Sequence, residues 1–186
     1  MIKRFSALDN NYKKSKFNFD EKNSLKFTEV NDLLLYQVSV WTNTLNSVGS
    51  KISKNLELDN YPGPNKVSSN NKFAMLRTEP LKWWVFGSKI NGLSEEEGNI
   101  LDLSHSRTCL SISGEKSSIF LNRFLSLDLR AKSFTNNSVA STTFHHVGVT
   151  LWNSENDYKI FIPRAFALSL WEIFLEGAEQ FGYEII

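Results

Sequence analysis

One cysteine, Cys109, stands in 186 residues. A lone cysteine excludes an intrachain disulfide and any zinc site built from several cysteines. Glycine is also sparse: nine residues, scattered along the chain. No cluster of them follows a strand as a dinucleotide fingerprint or phosphate-binding loop requires. Neither charge sign is in excess, with 21 basic and 20 acidic residues and a net charge of +1. Phosphate backbones need a concentrated basic face, so composition supplies no case for nucleic acid. No apolar run approaches the ~20 residues of a membrane span. The stretch from Met1 to Leu25 is polar and interrupted by Asp9, Asp20 and Glu21. It lacks the apolar core of a secretory signal, and its acids oppose a transit peptide, so a cytoplasmic location is expected.

Aromatic residues are abundant: fourteen Phe, five Trp and five Tyr. Such side chains bury large areas in cores and interfaces alike. Hydrophobic residues at 41% and charged residues at 22% are ordinary for a globular chain, and the length suits one domain or two small ones sharing a core.

Residues 1–24 carry neither a helical nor a strand period. Lys3, Arg4, Lys13, Lys14, Lys16 and Lys22 are interleaved with Phe5, Tyr12, Phe17 and Phe19. The segment reads as an extended arm, either solvated or ordered by a partner. From residue 25 to 186 the chain reads as one α+β domain, in halves of about 25–98 and 99–186. Leu25 to Val30 and Leu33 to Trp41 read as strands. Leu45, Val48, Ile52 and Leu56 then fall on one face of a helix, for which Thr42 is a candidate N-cap. Tyr61-Pro-Gly-Pro-Asn65 forbids helix, and Ser68 to Lys72 extends a polar loop. Phe73 to Arg77 and Leu81 to Gly87 read as strands, the second apolar on both alternating faces through Trp83 and Trp84. Asn99 to Leu103 and Arg107 to Ser113 are strand material. A helix is expected from Gly114 to about Leu127. Thr142 to Trp152 and Tyr158 to Ile162 suggest a hairpin around Asn153–Asp157. The spacing predicts a last helix over Ala165–Phe181, capped by Gly182. Strand, helix, strand, strand thus occurs twice, which predicts two ferredoxin-like split β-α-β halves with antiparallel sheets.

Chemistry is thinly represented. Asp102, Ser104, His105 and Ser106 supply hydrolase residue types, but neighbouring strand residues point to opposite faces and no nucleophile elbow is present. Turn and interstrand hydrogen bonds are the better reading of these residues. His145 and His146, read as consecutive strand residues, would face apart and could not easily share a metal. Cys109 reads as a small buried hydrophobe. Glu172, Glu176 and Glu179 form a solvated helix face. A sound core without a self-sufficient catalytic set favours a binding or structural subunit.

Two segments carry a resemblance. They are Asp102-Leu-Ser-His-Ser-Arg-Thr-Cys-Leu-Ser-Ile-Ser-Gly114 and Ile162-Pro-Arg-Ala-Phe-Ala-Leu-Ser-Leu-Trp-Glu172. In this order and spacing they resemble the gamma subunit of heterotetrameric sarcosine oxidase, through Asp102, Ser104, His105, Arg107, Thr108 and Gly114 in the first and Arg164, Phe166 and Trp171 in the second. The resemblance covers roughly Leu33 to Phe181 and implies a fold like the folate-binding domains of glycine-cleavage T-proteins. It implies alpha, beta and delta partner subunits, which together hold FAD, FMN, NAD, tetrahydrofolate and zinc, and an assembled enzyme that oxidatively demethylates sarcosine to glycine. Hydrogen peroxide and formaldehyde or methylene-tetrahydrofolate are the other products. It implies no catalytic, cofactor or metal residue in this chain, whose role is assembly and stability. A stand-alone folate or one-carbon binding protein is the alternative, and a regulatory interaction protein outside any oxidase is a third. Asp102 and Arg107 are expected to brace their turn. Phe5, Phe17, Phe19, Trp83 and Trp84 are expected to face partners.

Overall fold

The first helix shows how local pattern becomes structure. Val48 and Ile52 sit one turn apart, and both are buried in helix α1, Leu45–Asn55. They pack against Val38, Val40, Met75, Trp83 and Val85 of a sheet, an apolar stripe meeting an apolar face. The expected N-cap moves from Thr42 to Thr44. Thr44 Oγ1 does not cap the helix; it donates to Glu97 O at 2.8 Å and accepts from Trp41 N at 3.2 Å.

This computed structural model describes residues 5–9 and 11–186, so Lys3 and Arg4 of the expected arm lie outside the described residues. The strands are β1 Ser15–Phe17, β2 Leu25–Glu29, β3 Leu35–Val40, β4 Val67–Ser69, β5 Ala74–Glu79, β6 Lys82–Phe86, β7 Gly98–Asp102, β8 Arg107–Ser113, β9 Ser138–Phe144, β10 Val147–Asn153, β11 Tyr158–Pro163 and β12 Tyr183–Ile185. The other helices are α2 Ser117–Leu121 and α3 Ala167–Ala178, the latter entered through a 3₁₀ turn at Arg164–Phe166.

The chain forms two compact units. One is Leu33–His105 with Asn137–Ala140; the other holds the remainder. The chain parts after Asp32 and after His105 rather than near residue 98, because β7 pairs with β3 while β2 pairs with β8. The smaller unit carries a five-stranded sheet in the order β4-β5-β6-β3-β7, antiparallel throughout, with α1 on one face. The larger unit carries a seven-stranded sheet, β1-β12-β2-β8-β11-β10-β9, in which β12 pairs with β2 in parallel.

The fold is α+β with antiparallel sheets and a twice-used split β-α-β plan. In the first unit β3 is followed by α1 and then by β5 and β6, and β6 returns beside β3. In the second, β8 is followed by α2 and then by β10 and β11, and β11 returns beside β8. The larger core is aromatic. Phe144 and Phe174 lie 4.6 Å apart between ring centroids, Phe120 and Phe124 5.1 Å, and Phe27 and Trp171 5.4 Å.

Several elements differ from expectation. The helix expected to run from Gly114 to Leu127 stops at Leu121. Leu125 instead bridges to Phe144 of β9. The run from Thr142 to Trp152 is two strands, because the chain turns at His145 and His146, with His145 at φ 51°. Ser68 and Ser69, expected as loop, belong to β4, which pairs with β5. Within the expected arm, Ser15–Phe17 pairs with Tyr183–Ile185, and Leu8 is fully buried. The Tyr12 hydroxyl reaches the carbonyls of Phe27 and Ile186 at 3.1 and 3.0 Å.

Candidate functional site

The motif from Asp102 to Gly114 is a strand end, a turn and a strand. Asp102 closes β7 and accepts a hydrogen bond from Ser104 N at 2.8 Å. Burial alone would raise its pKa and is the largest single influence. Hydrogen bonds from Ser104 and Tyr36, with the nearby His105, outweigh it and hold the carboxyl below its ordinary value. Tyr36 responds in the opposite sense: burial first, then the Asp102 carboxylate, raise its pKa. Ser104 is buried; its Oγ accepts from Leu35 N at 3.0 Å and donates to Leu35 O at 3.3 Å. That hydroxyl replaces a ladder partner and is committed to the backbone, while His105 is exposed. The residue types of a hydrolase are present, but the serine serves the sheet.

Arg107 opens β8, where Nη1 donates to Ser106 O at 3.2 Å and burial lowers its pKa. Thr108 and Cys109 are buried in the same strand, and burial raises the thiol pKa far above its ordinary value. Such a thiol is inert at neutral pH. Gly114 ends the segment just past β8. From the second segment, Arg164 N donates to Ser106 O at 3.0 Å and Arg164 Nη2 to Phe5 O at 2.7 Å. Phe166 is half-exposed at the entry to α3. Trp171 is buried, its ring 5.4 Å from Phe27 and 5.5 Å from Tyr12, with Nε1 donating to Asn11 O at 3.4 Å. Ser106, Arg107 and Arg164 therefore meet in one unit.

The aromatic residues expected at a partner surface divide into two sets. Trp83 is buried in the core beneath α1, and Trp84, on the other face of β6, is also buried, its Nε1 donating to Gln37 Oε1 at 3.2 Å. The core beneath α1 accounts for the apolarity of Trp83 without an outside chain. Phe5 and Phe17 are exposed; Phe17 stacks on Tyr183 at 5.6 Å, and Lys16 and Lys26 lie 4.6 and 5.7 Å from the Phe19 ring.

Sequence reading passed over a charged network in the larger unit. Lys159 Nζ reaches both carboxylate oxygens of Asp157 at 2.7 Å, and the hydroxyls of Ser111 and Ser154 donate to the same carboxylate. Register places Lys159 opposite Ser111 on β8 and opposite Trp152 on β10, whose ring lies 5.0 Å from Nζ. The Asp157-x-Lys159 spacing at a strand start was the available signal, since alternate strand residues share a face. Burial acts first on Asp157 and would raise its pKa, but Lys159 and the two serines bring it below the ordinary carboxylate value. Beside the network lies a pocket of ≈ 260 Å³ lined by Ser117, Phe134, Asn153, Ser154, Asp157 and Tyr158, among others. Asn153 donates to Phe134 O at 2.8 Å there. With its oxygens taken by Lys159 and the serines, Asp157 anchors the β10–β11 hairpin to β8.

Among the described residues no group of three or more His, Cys, Asp and Glu side chains is placed to hold a metal ion. No described helix is long and apolar enough to cross a membrane.

Comparison with known proteins gives the arrangement a context. No protein-family profile matches the chain. It is 32% identical over 76 residues to the sarcosine oxidase subunit gamma of Corynebacterium sp. (strain P-1), a match covering 41% of this chain and 37% of that protein. The Arthrobacter sp. subunit gamma is 30% identical over 80 residues, 43% of this chain and 39% of its own. The match thus spans less than half the length of these relatives. In fold, a chain of the heterotetrameric sarcosine oxidase from Corynebacterium sp. U-96, solved with pyrrole 2-carboxylate, superposes with a TM-score of 0.81 at 16% identity, covering 96% of both chains. The glycine cleavage system aminomethyltransferase T from Bartonella henselae superposes with a TM-score of 0.61 at 12% identity, covering 89% of this chain and 48% of that one. In sequence over part of its length the chain resembles sarcosine oxidase gamma subunits, and in fold over nearly all of it a chain of heterotetrameric sarcosine oxidase, with the aminomethyltransferase T fold as a more distant relation.

Proposed function

We propose that this chain is the gamma subunit of a heterotetrameric sarcosine oxidase and contributes no catalytic group of its own. In this reading alpha, beta and delta subunits accompany it in the cytoplasm. They hold the flavins, the dinucleotide, the folate and the zinc, and the assembly oxidises sarcosine to glycine. The observation that carries the reading is the agreement of two independent likenesses. Gamma subunits match part of the sequence, and a chain of the same kind of oxidase matches the fold over 96% of both chains. The chemistry of the motif is consistent with it. Ser104, the serine among the hydrolase residue types, is committed to the backbone of β3, and the carboxylate of Asp157 to the β10–β11 hairpin. Asp102, Arg107 and Arg164 act as braces in their own units. The likeness to aminomethyltransferase T covers under half of that protein, which supports a shared fold rather than a shared reaction.

Purified alone, the chain is expected to show no visible flavin band and to form no peroxide from sarcosine. Co-expressed with its three partners it is expected to co-purify in stoichiometric amount with a sarcosine-dependent oxidase. A flavin bound to the isolated chain, or oxidase activity from it, overturns the proposal.

A further inference from the structure

Sheet edges are where this fold exposes unpaired backbone, and its edges are not equally protected. At one edge of the larger sheet, β1 is three residues long and carries Lys16, paired with Glu184 at 2.9 Å. At the other, β9 is bridged at its ends by Lys66 and Leu125. In the smaller sheet β4 is three residues long. Short strands, lysines and covering segments are the usual ways of blunting an edge. Strand β7, Gly-Asn-Ile-Leu-Asp from 98 to 102, has none of them: no lysine, no proline and no bulge against β3.

The register fixes which backbone groups it presents. Leu103 N donates to Leu35 O at 2.8 Å, so residues 99 and 101, in step with Leu103, turn their amides and carbonyls toward β3. Ile100 and Asp102 turn theirs away from it. Gly98 makes the close pairing possible. It sits at φ +149°, and a Cβ there would collide with Ser39 O. The side chains beside this edge are apolar and exposed: Leu101 is 52% exposed and Trp41 57%. The Trp41 ring is held in place by its Nε1, which donates to Glu95 O at 3.0 Å.

Charge selects the occupant. Glu95 and Glu96 are exposed immediately before β7, and Asp102 is exposed at its far end. Antiparallel pairing of two copies through β7, Ile100 facing Ile100, would set Asp102 of each opposite Gly98 of the other and within a few residues of its glutamates, gathering like charge at both ends of the strand pair. A second copy of this chain is therefore disfavoured. We infer that β7 is the site at which an extended segment of a different subunit adds as a sixth strand, presenting an apolar residue to Leu101 and Trp41 and a lysine or arginine to Glu95 and Glu96. The inference rests on the subunit reading above, which supplies the other chains. Main-chain hydrogen bonds to Ile100 and Asp102 give such a contact its affinity, and the side chains give it selectivity.

Hydrogen–deuterium exchange on the full chain, alone and in the co-expressed complex, tests the inference directly. The amides of Ile100 and Asp102 are expected to exchange at least about tenfold more slowly in the complex, as amides entering a ladder do. Leu101→Lys and the double variant Glu95→Lys with Glu96→Lys are expected to retain the wild-type melting temperature and to assemble about tenfold more weakly. Unchanged exchange in an intact complex, or full-strength assembly by both variants, overturns the inference and leaves the subunit reading standing. A homodimer with protected β7 amides also overturns it. Failure of the wild-type chain to assemble with the three subunits refutes the subunit reading, and the inference falls with it.

Discussion

Replacing Asp157 by Asn tests how the larger unit holds its hairpin. The Asp157 side chain is 15% exposed and that of Lys159 is 18% exposed. The substitution removes the charge partner of a nearly buried ammonium and turns an amide NH₂ toward Lys159 or one of the serine hydroxyls. Breaking a fully buried pair costs about 3–5 kcal/mol, and residual exposure lets Lys159 recover some hydration, which brings the expected loss to about 3 kcal/mol. For a chain of this size that is a fall in melting temperature of roughly 6–12 °C. The pH dependence has a definite sign. The folded carboxyl titrates below its unfolded value, so its contribution is fully present above about pH 4 and is lost as pH falls through the folded pKa. Thermal melts of wild type and D157N at pH 7 and pH 3 should therefore show a wide gap that narrows in acid. The double variant D157N/K159M should recover part of the loss, because it leaves no uncompensated cation. Melting within about 2 °C of wild type at pH 7, or a gap of equal size at pH 3, refutes the reasoning.

Ser104→Ala removes the acceptor for a buried Leu35 amide and should cost about 1–3 kcal/mol in urea denaturation, without bearing on the chemistry of an assembled complex. Phe174→Ala empties the centre of the Phe120–Phe124–Phe144 cluster and should cost about 3–5 kcal/mol by the same measurement. Gly98→Ala places a Cβ against Ser39 O at a positive φ, so exchange of the β7 amides bonded to β3 should accelerate while those of β11 stay protected.

The elements legible in the sequence are those with a local apolar pattern. Helix α1 stands where Val48 and Ile52 put it, and strand β8 where the apolar run within Arg107–Ser113 puts it, buried on both faces through Thr108, Cys109 and Leu110. The last helix is shorter than its pattern. Ala165 and Phe166 form a 3₁₀ turn, and the helix ends at Ala178, three residues before Phe181, with Gly182 beyond it at φ +69°. Turns without glycine or proline escaped. His145 takes a positive φ with its ring 5.3 Å from Phe144, and nothing in His-His announces a hairpin. The expected extension of α2 failed because Leu125 and Phe124 serve contacts to Phe144, which no local period encodes. The motif residues were legible as a constellation, but not their partners. Ser104 answers to Leu35 across 69 positions of chain, and Lys159 to Ser111 and Trp152 through strand register.

Co-expression with a single affinity tag on this chain tests its membership of a four-subunit oxidase. The three partner subunits should elute with it in equal amounts, and peroxide should form from sarcosine in the eluted complex and not in the tagged chain alone. A tagged chain that elutes alone, while the other three subunits form an active oxidase of unchanged stability without it, refutes that membership.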